Sequence, residues 1–331
     1  MMKKILLNLF EHKTLSAQEA KEVLLQIGSG VYNEHEIASF ITVFLMRRIT
    51  IQELEGFREA LLELAVKIDF DGIPTMDIVG TGGDGKNTFN ISTLACFIVA
   101  GAGHKVTKHG NYGASSVSGA SNVMEQLGYT FKNDSDTLKK ELDAANICFL
   151  HAPFFHLALK HVGPIRRNLR VITFFNMLGP IVNPANPAYR ILGVYNLEMA
   201  RMYNYVLQKT NDAYTIVHGL DGYDEISLTG ETKLVTNSGE SILSPEELGG
   251  MVVHPHEISG GNSVEDAAKI FQDIISGNGT PAQNAVVQAN AAVALMATGA
   301  YVDYSTAYAA AKESLVGGKA LQSLHKLISL Q

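Results

Sequence analysis

The sequence predicts an α/β protein with a small all-helical N-terminal domain and a large α/β domain whose mostly parallel central sheet is flanked by helices. Three observations carry this. Three helix-start signals follow one another within residues 1–68, short β-rich runs alternate with longer helical patterns from Met76 onward, and an alanine-rich helical tail runs through Leu330. The length of 331 residues, set against about 150 residues per domain, suits two domains or one large one.

The chain begins Met1-Met2-Lys3-Lys4-Ile5-Leu6-Leu7, like a signal peptide, but Asn8 and Glu11 interrupt the apolar run and no small-residue cleavage site follows. The expected element is an amphipathic helix. Ser16-Ala17-Gln18-Glu19, Asn33-Glu34-His35-Glu36 and Thr50-Ile51-Gln52-Glu53 each place a capping oxygen three residues before a carboxylate, so four short helices are predicted. Gly28 and Gly30 supply a stop, and Asp71-Gly72-Ile73-Pro74 reads as a turn-rich boundary. Strands are expected at Met76-Asp77-Ile78-Val79, Ile191-Leu192-Gly193-Val194 and Ala213-Tyr214-Thr215-Ile216-Val217. Ser263-Val264-Glu265-Asp266 opens one late helix and Pro281 another.

Composition removes several classes of function. With 46% hydrophobic and 18% charged residues, the chain has material for a core and is not disordered. A net charge of −7 is the wrong sign for a surface that tracks nucleic acid throughout, so any anionic ligand needs a local basic patch. Cys96 and Cys148 sit in apolar runs without metal spacing and read as buried, reduced thiols. No window of about 18 uninterrupted apolar residues is present, which argues against a membrane span. A cytoplasmic protein is expected.

The richest chemistry follows the Met76–Val79 strand: Gly80-Thr81-Gly82-Gly83-Asp84-Gly85-Lys86-Asn87-Thr88, then a predicted helix from about Ser92 to Ala100. Strand, glycine turn and helix bring free N–H groups and the positive end of a helix dipole to one point, which suits phosphate. A plain tight turn is the bland alternative, but four glycines in six residues exceed what a turn requires. Gly80, Gly82 and Gly85 fit a dinucleotide fingerprint, yet His104 and Lys105 stand where an acid is needed for the ribose. Gly80, Gly85 and Lys86 fit most of a P-loop, yet Asn87 lacks the magnesium-binding hydroxyl.

Two windows contain no acid: the 40 residues between Asp84 and Glu125, and the 54 between Asp143 and Glu198. Burial alone removes acids from a core strand, but Lys86, Lys105, Lys108, Lys160, Arg166, Arg167, Arg170 and Arg190 inside the windows favour local positive potential. The first window holds Lys108-His109-Gly110-Asn111-Tyr112-Gly113-Ala114-Ser115-Ser116-Val117-Ser118-Gly119, whose glycines, hydrogen-bonding side chains and lysine suit a phosphorylated ribose. In the second, the Arg166-Arg167 pair suits a carboxylate, and Phe154 and Phe155 an aromatic ring, with His156 as open between substrate contact and structure. Asp224 and Glu225, on a segment after the Ala213–Val217 strand, suit Mg²⁺, which needs only one or two carboxylates plus phosphate oxygens; solvated surface acids are the alternative.

In chain order, Gly80-Thr81-Gly82-Gly83-Asp84, Asn90-Ile91-Ser92-Thr93, Lys108-His109-Gly110-Asn111, Val162-Gly163-Pro164-Ile165-Arg166-Arg167, Phe175-Asn176-Met177-Leu178-Gly179-Pro180 and Asp224-Glu225 closely resemble the anthranilate phosphoribosyltransferase family, over essentially the whole chain. The resemblance implies Mg²⁺-dependent transfer of phosphoribosyl from phosphoribosyl pyrophosphate (PRPP) to anthranilate in tryptophan biosynthesis, with no side chain acting as nucleophile or obligatory base. It implies a PRPP site at Gly80, Gly83, Asp84, Thr88, Asn90, Ile91, Ser92, Thr93 and the stretch Lys108 to Ser116. Magnesium would be held by Ser92, Asp224 and Glu225. Anthranilate would meet Gly80, Asn111 and Arg166, with His109 and His156 nearby.

The same resemblance implies a helical domain at 1–70, joined by helices near 160–185, beside an α/β domain at 71–331, with the active site in the cleft between them, and a homodimer. Tyr112, Val117, Ala120 and Phe155 depart from the family pattern, where arginine, lysine, serine and tyrosine are common. The rival readings are a nucleoside phosphorylase, which attacks the same ribosyl carbon with inorganic phosphate, and a non-catalytic nucleic-acid-binding paralogue.

Overall fold

The computed structural model describes residues 2–113, 117–210 and 212–331. The chain forms two compact units: one holds the residues up to Ile68 and the segment Ala152–Asn186, the other Asp69–His151 and Pro187–Gln331.

The first unit is helical, with helices Met2–Phe10, Ala17–Gly28, Glu34–Met46 and Ile51–Leu64 from the N-terminal stretch. All three predicted capping boxes form, at Ser16, Asn33 and Thr50. Each satisfies backbone N–H groups that a helix start leaves without partners, and is worth about 1 kcal/mol. The helices close over an aromatic cluster in which Phe40, Phe44, Phe57 and Phe174 pack with ring centroids 4.7–6.3 Å apart. Phe174 comes from the Ala152–Asn186 segment, which also supplies the helix Gly163–Leu169, and Arg58 Nε donates to the Ile181 carbonyl at 3.0 Å. That segment belongs to the helical core because its apolar residues complete the cluster.

The second unit is built on a seven-stranded sheet of order β3-β2-β1-β4-β5-β6-β7. The strands are β1 Met76–Gly80, β2 Val106–Gly110, β3 Ile147–His151, β4 Tyr189–Gly193, β5 Ala213–Gly219, β6 Thr232–Thr236 and β7 Gly239–Leu243. The first five run parallel, and β6 and β7 add an antiparallel hairpin at the edge. The helices Ile91–Gly101 and Pro281–Ala297 are buried along most of their length, which explains why their sequences are apolar or small on every face rather than along one stripe.

This topology positions the site. Strand order runs outward from β1 to β2 and β3, then returns to β4 on its other side, so the crevice at the carboxyl ends of β1 and β4 is where an open parallel sheet binds its ligand. Gly80 and Gly193, the last residues of those strands, are register partners. Among the described residues no helix is long and apolar enough to cross a membrane.

Candidate active site

The glycine turn leaves β1 as the sequence predicts. Gly82, Gly83 and Gly85 all adopt left-handed backbone, at φ 63°, 81° and 71°, which L side chains rarely tolerate. The Thr81 N–H donates to the Gly193 carbonyl at 3.0 Å and the Asp84 carboxylate accepts from the Lys86 N–H at 3.0 Å, so the turn is tied at both ends. The helix behind it starts at Ile91, with Asn90 as the preceding residue making no side-chain cap. Among the described residues, Asn90 Oδ1 and Thr81 Oγ1 are buried with no hydrogen-bond partner. Buried polar atoms are normally paired, so two orphans flanking one turn mark a place prepared for a polar ligand.

Facing the turn stand the acids that follow β5. Asp224 is buried and accepts the Gly82 N–H at 2.7 Å. Glu225 accepts the Ser92 N–H at 2.9 Å and the Thr88 hydroxyl at 3.3 Å. Residue-level reading expects the N–H groups of this helix start to be open to phosphate; the Ser92 N–H is instead taken by Glu225, which pins the acid to the helix dipole's positive end. Asp224 fits here only because two glycines make room. A Cβ at Gly80 would lie 2.4 Å from the Asp224 carboxylate, and one at Gly193 would lie 1.6 Å from its carbonyl oxygen.

The electrostatics of this group are strained. Asp224 is pushed up to about 7 by burial and by the Asp84 carboxyl beside it, and Glu225 to about 8 by burial and by Asp224. Burial likewise raises Asp84, against the pull of the Lys86 N–H and its contact with Asp224. Three carboxyls thus crowd one spot with fewer donors than burial demands, and a divalent cation is the complement that would let them ionise together. Among the described residues no group of three or more His, Cys, Asp or Glu is placed to hold a metal ion by itself. Mg²⁺ needs only one or two protein carboxylates beside waters and phosphate oxygens.

The second predicted segment begins in β2. Lys108 is 1% exposed and its Nζ donates to the Ile78 carbonyl at 2.5 Å, so its charge is held inside the unit, where it favours ionised Glu225. This differs from the expectation that its ammonium is presented to the ligand, and the reason is that β2 is an interior strand buried on both faces, so the side chain ends on the Ile78 carbonyl of the neighbouring strand. His109 is also buried, its N–H donating to Asp77. Gly110 ends the strand and Asn111, Tyr112 and Gly113 are exposed beyond it, with the Asn111 carbonyl accepting the Ser121 N–H at 3.2 Å. The predicted contacts Ala114, Ser115 and Ser116 lie outside the described residues. Ile91 and Thr93 are buried in the first turn of their helix.

In the helical unit, Arg166 lies on the helix Gly163–Leu169 with its guanidinium 3.0 Å from Asn176 Oδ1 and 5.6 Å from the centroid of Phe175. Asn176 also accepts the Thr173 N–H, so one amide orients the arginine. His156 is buried, with Nε2 at 3.1 Å from the Val182 carbonyl, and burial depresses it to about 4, leaving it neutral.

Residue-level reading missed Gly193 and Asn176 as supporting residues. Gly193 carried a signal, being a glycine within the otherwise aliphatic run Ile191-Leu192-Gly193-Val194 expected as a strand, which marks close backbone approach.

Family models for the glycosyl transferase family match the chain twice, the helical bundle domain over residues 3–65 and the a/b domain over residues 72–321. The sequence is 57% identical over 329 residues to an anthranilate phosphoribosyltransferase of Flavobacterium johnsoniae, with 99% of each chain covered. It is 54% identical to that of Bacteroides thetaiotaomicron over the same share. The fold is similar to the anthranilate phosphoribosyltransferase of Thermus thermophilus, with a TM-score of 0.89 at 30% identity and 98% of each chain covered. It is also similar to that of Saccharomyces cerevisiae in complex with PRPP and Mg, with a TM-score of 0.91 at 29% identity, covering 99% of this chain and 97% of that one.

Proposed function

The chain belongs to the anthranilate phosphoribosyltransferases, and from that membership we propose that it transfers the phosphoribosyl group of PRPP to the amine of anthranilate, releasing pyrophosphate, in tryptophan biosynthesis. The observation that carries this reading is the acid group packed on the glycine turn: Asp84, Asp224 and Glu225 converge where the sheet order reverses, beside N–H donors and two orphaned polar atoms.

The amine of anthranilate is uncharged near neutrality and already nucleophilic, so little general-base power is needed. Its nitrogen bonds to C1 of the ribose, the C1–O bond breaks, and pyrophosphate leaves with that electron pair while the amine gives up one proton to solvent. The hard part is bond cleavage, which builds positive character on the ribose and negative charge on the leaving group. Bound Mg²⁺ supplies charge stabilisation to the departing pyrophosphate. Asp224 and Glu225 would hold it with Ser92. The N–H groups of Gly83 and Asp84, with Thr88, Asn90, Ile91 and Thr93, cradle the sugar and its phosphates, and preorganised donors of this kind are the largest electrostatic contribution in such sites.

The stretch from Lys108 to Ser116 completes the PRPP contacts through His109, Gly110, Asn111, Tyr112, Gly113, Ala114, Ser115 and Ser116. Lys108 acts from inside the unit as the counter-charge of Glu225. Gly80, Asn111 and Arg166 are assigned to anthranilate, Arg166 taking the carboxylate, with His109 at the edge of that contact. His156, neutral and enclosed, serves by shaping the wall it is packed in.

The protein is further proposed to be a cytoplasmic homodimer. The helical unit supports a self-association face: a cavity of about 460 Å³ lined by Leu9, Phe10, Val43, Met46 and neighbouring polar residues, with Phe10 and Met46 largely exposed.

A fluorescence assay of anthranilate consumption, with PRPP and Mg²⁺ omitted in turn, tests the function. Loss of signal decay on either omission is expected. Phosphorolysis of nucleosides with no requirement for PRPP would select a nucleoside phosphorylase instead, and salt-dependent DNA binding without PRPP consumption a non-catalytic paralogue.

A further inference from the structure

Beyond β2 the chain makes a narrow neck. The Gly113 N–H and the Gly119 N–H both donate to the same atom, Asn122 Oδ1, each at 3.0 Å. The two backbones are in contact there: a Cβ at Gly119 would lie 2.3 Å from the Gly113 nitrogen and 2.7 Å from the Tyr112 carbonyl carbon. Asn122 is on the first turns of the helix Ala120–Gln126, whose own start is tied to the neck by the Ser121 N–H on the Asn111 carbonyl. From the far side, Asn90 Nδ2 donates to the Ser118 carbonyl at 3.0 Å, joining the neck to the helix start beside the glycine turn. One further tether holds the entrance. The Tyr112 hydroxyl donates to Glu125 at 2.7 Å, and its ring packs edge-on against His151 at 5.0 Å.

A carbonyl oxygen with two lone pairs that receives two N–H groups from residues six apart in sequence acts as a staple. The Gly119 half of the staple is the bond by which the third residue of a helix reaches back to its N-cap N–H, and the Gly113 half carries the same oxygen across to the other side of the neck. We propose that Asn122 is a positioning residue for PRPP binding: its side-chain oxygen staples Gly113 to Gly119 and so presents Asn111 and the Asn90 helix start in one fixed arrangement. Tyr112–Glu125 supports the same neck. This rests on the proposed function, because it takes the polyanion bound between these two segments to be PRPP.

The test uses the full-length protein and the variants Asn122→Ala, which removes the acceptor, and Asn122→Asp, which keeps an oxygen able to take both N–H groups. Steady-state kinetics with PRPP, anthranilate and Mg²⁺ are read beside amide hydrogen exchange of peptides spanning 110–120 in the protein alone. Asn122→Ala should raise KM for PRPP about tenfold, the equivalent of the lost hydrogen bonds, with KM for anthranilate changed less than about twofold and exchange in the neck accelerated. Asn122→Asp should recover most of both.

Unchanged exchange in Asn122→Ala overturns the staple. Accelerated exchange with unchanged KM for PRPP overturns the positioning role and leaves the staple a structural feature, as does an equal rise in both KM values. A wild-type protein that consumes no anthranilate with PRPP overturns the proposed function itself, and the exchange measurement then still judges the staple.

Discussion

Both units bury carboxylates, and the α/β unit holds two kinds: Glu141 is met by the Tyr129 hydroxyl, the Lys132 ammonium and the Gln331 amide, as Glu53 is met in the helical unit, whereas Asp224 and Glu225 are not. In the helical unit Glu53 is fully buried, and it receives Arg47 through both nitrogens at 2.9 and 2.5 Å, the N–H groups of Leu15 and Thr50, and the Thr50 hydroxyl. Burial alone would raise it, but these donors together outweigh burial and hold it below the usual carboxylate value. In the α/β unit Asp224 and Glu225 receive far fewer donors and repel each other, and both are pushed up. The lesson is that burial of charge does not mark function. A carboxylate whose complement is finished within the chain is structural, and one left short is the candidate for a functional role.

The sharpest way to break this contrast is the double variant Asp224→Asn with Glu225→Gln. Turnover should fall by at least about a thousandfold, since preorganised charge stabilisation is the largest catalytic contribution. The fold should survive, because the amides keep the shape of the acids and an oxygen for the Gly82 and Ser92 N–H groups while removing the repulsion. Near-wild-type kcat in saturating Mg²⁺ would remove the metal assignment.

The counterpart in the helical unit is Glu53→Ala. It strands Arg47, which is 14% exposed in its side chain, and should cost about 3–5 kcal/mol of stability, read as a lower urea midpoint. A change under about 1 kcal/mol would mean that Arg47 escapes to water and the pair was never structural. The same unit contains the intermediate case. Arg166 is oriented by the Asn176 amide and meets no acid in an ion pair among the described residues, so its charge is short of a complement as the acids are. Arg166→Ala should raise KM for anthranilate about tenfold or more and KM for PRPP little, as expected for loss of a carboxylate's partner. Equal effects on both substrates would end that assignment.

What the sequence disclosed follows the range of each interaction. The capping boxes at Ser16, Asn33 and Thr50 are contained within four residues, and all three form where spacing places them. The glycine turn was legible for the same reason, its three left-handed residues lying within four positions. The parallel sheet was legible from alternation, but the β6–β7 hairpin was not. Its outer strand β7 is exposed and carries Gly239, Glu240 and Ser241, and nothing in such a run outcompetes a loop reading. The inward turn of Lys108 and the fit of Asp224 against Gly80 and Gly193 depend on which strands become neighbours, information that no local window contains. The Glu53 pair was half legible: Thr50 sits three residues away, whereas Leu15 comes from another helix junction 38 residues distant.

The smallest expected effect is also the one that separates the two kinds of acid most cleanly, because they must respond to pH in opposite directions. Glu53 is depressed in the folded state, so its contribution is present above the ordinary carboxylate value and is lost as pH falls through its lower folded value. Asp224 and Glu225 are raised, so below about pH 4 they are protonated in both states and cost nothing. As pH rises toward 8 the unfolded chain gives up those protons while the folded chain keeps them, and folding is progressively disfavoured. Metal-free protein should therefore lose about 5 °C of Tm between pH 5.5 and 8, a loss that Mg²⁺ reverses increasingly as pH rises, because the cation binds the ionised acids. In Asp224→Asn/Glu225→Gln most of the decline and of the Mg²⁺ response should be lost, the remainder belonging to Asp84, while the loss of stability in acid that belongs to Glu53 stays. If scanning calorimetry finds the alkaline decline intact in the double variant, the raised carboxyls are not its source, and the distinction between finished and unfinished acids fails at the site where it matters.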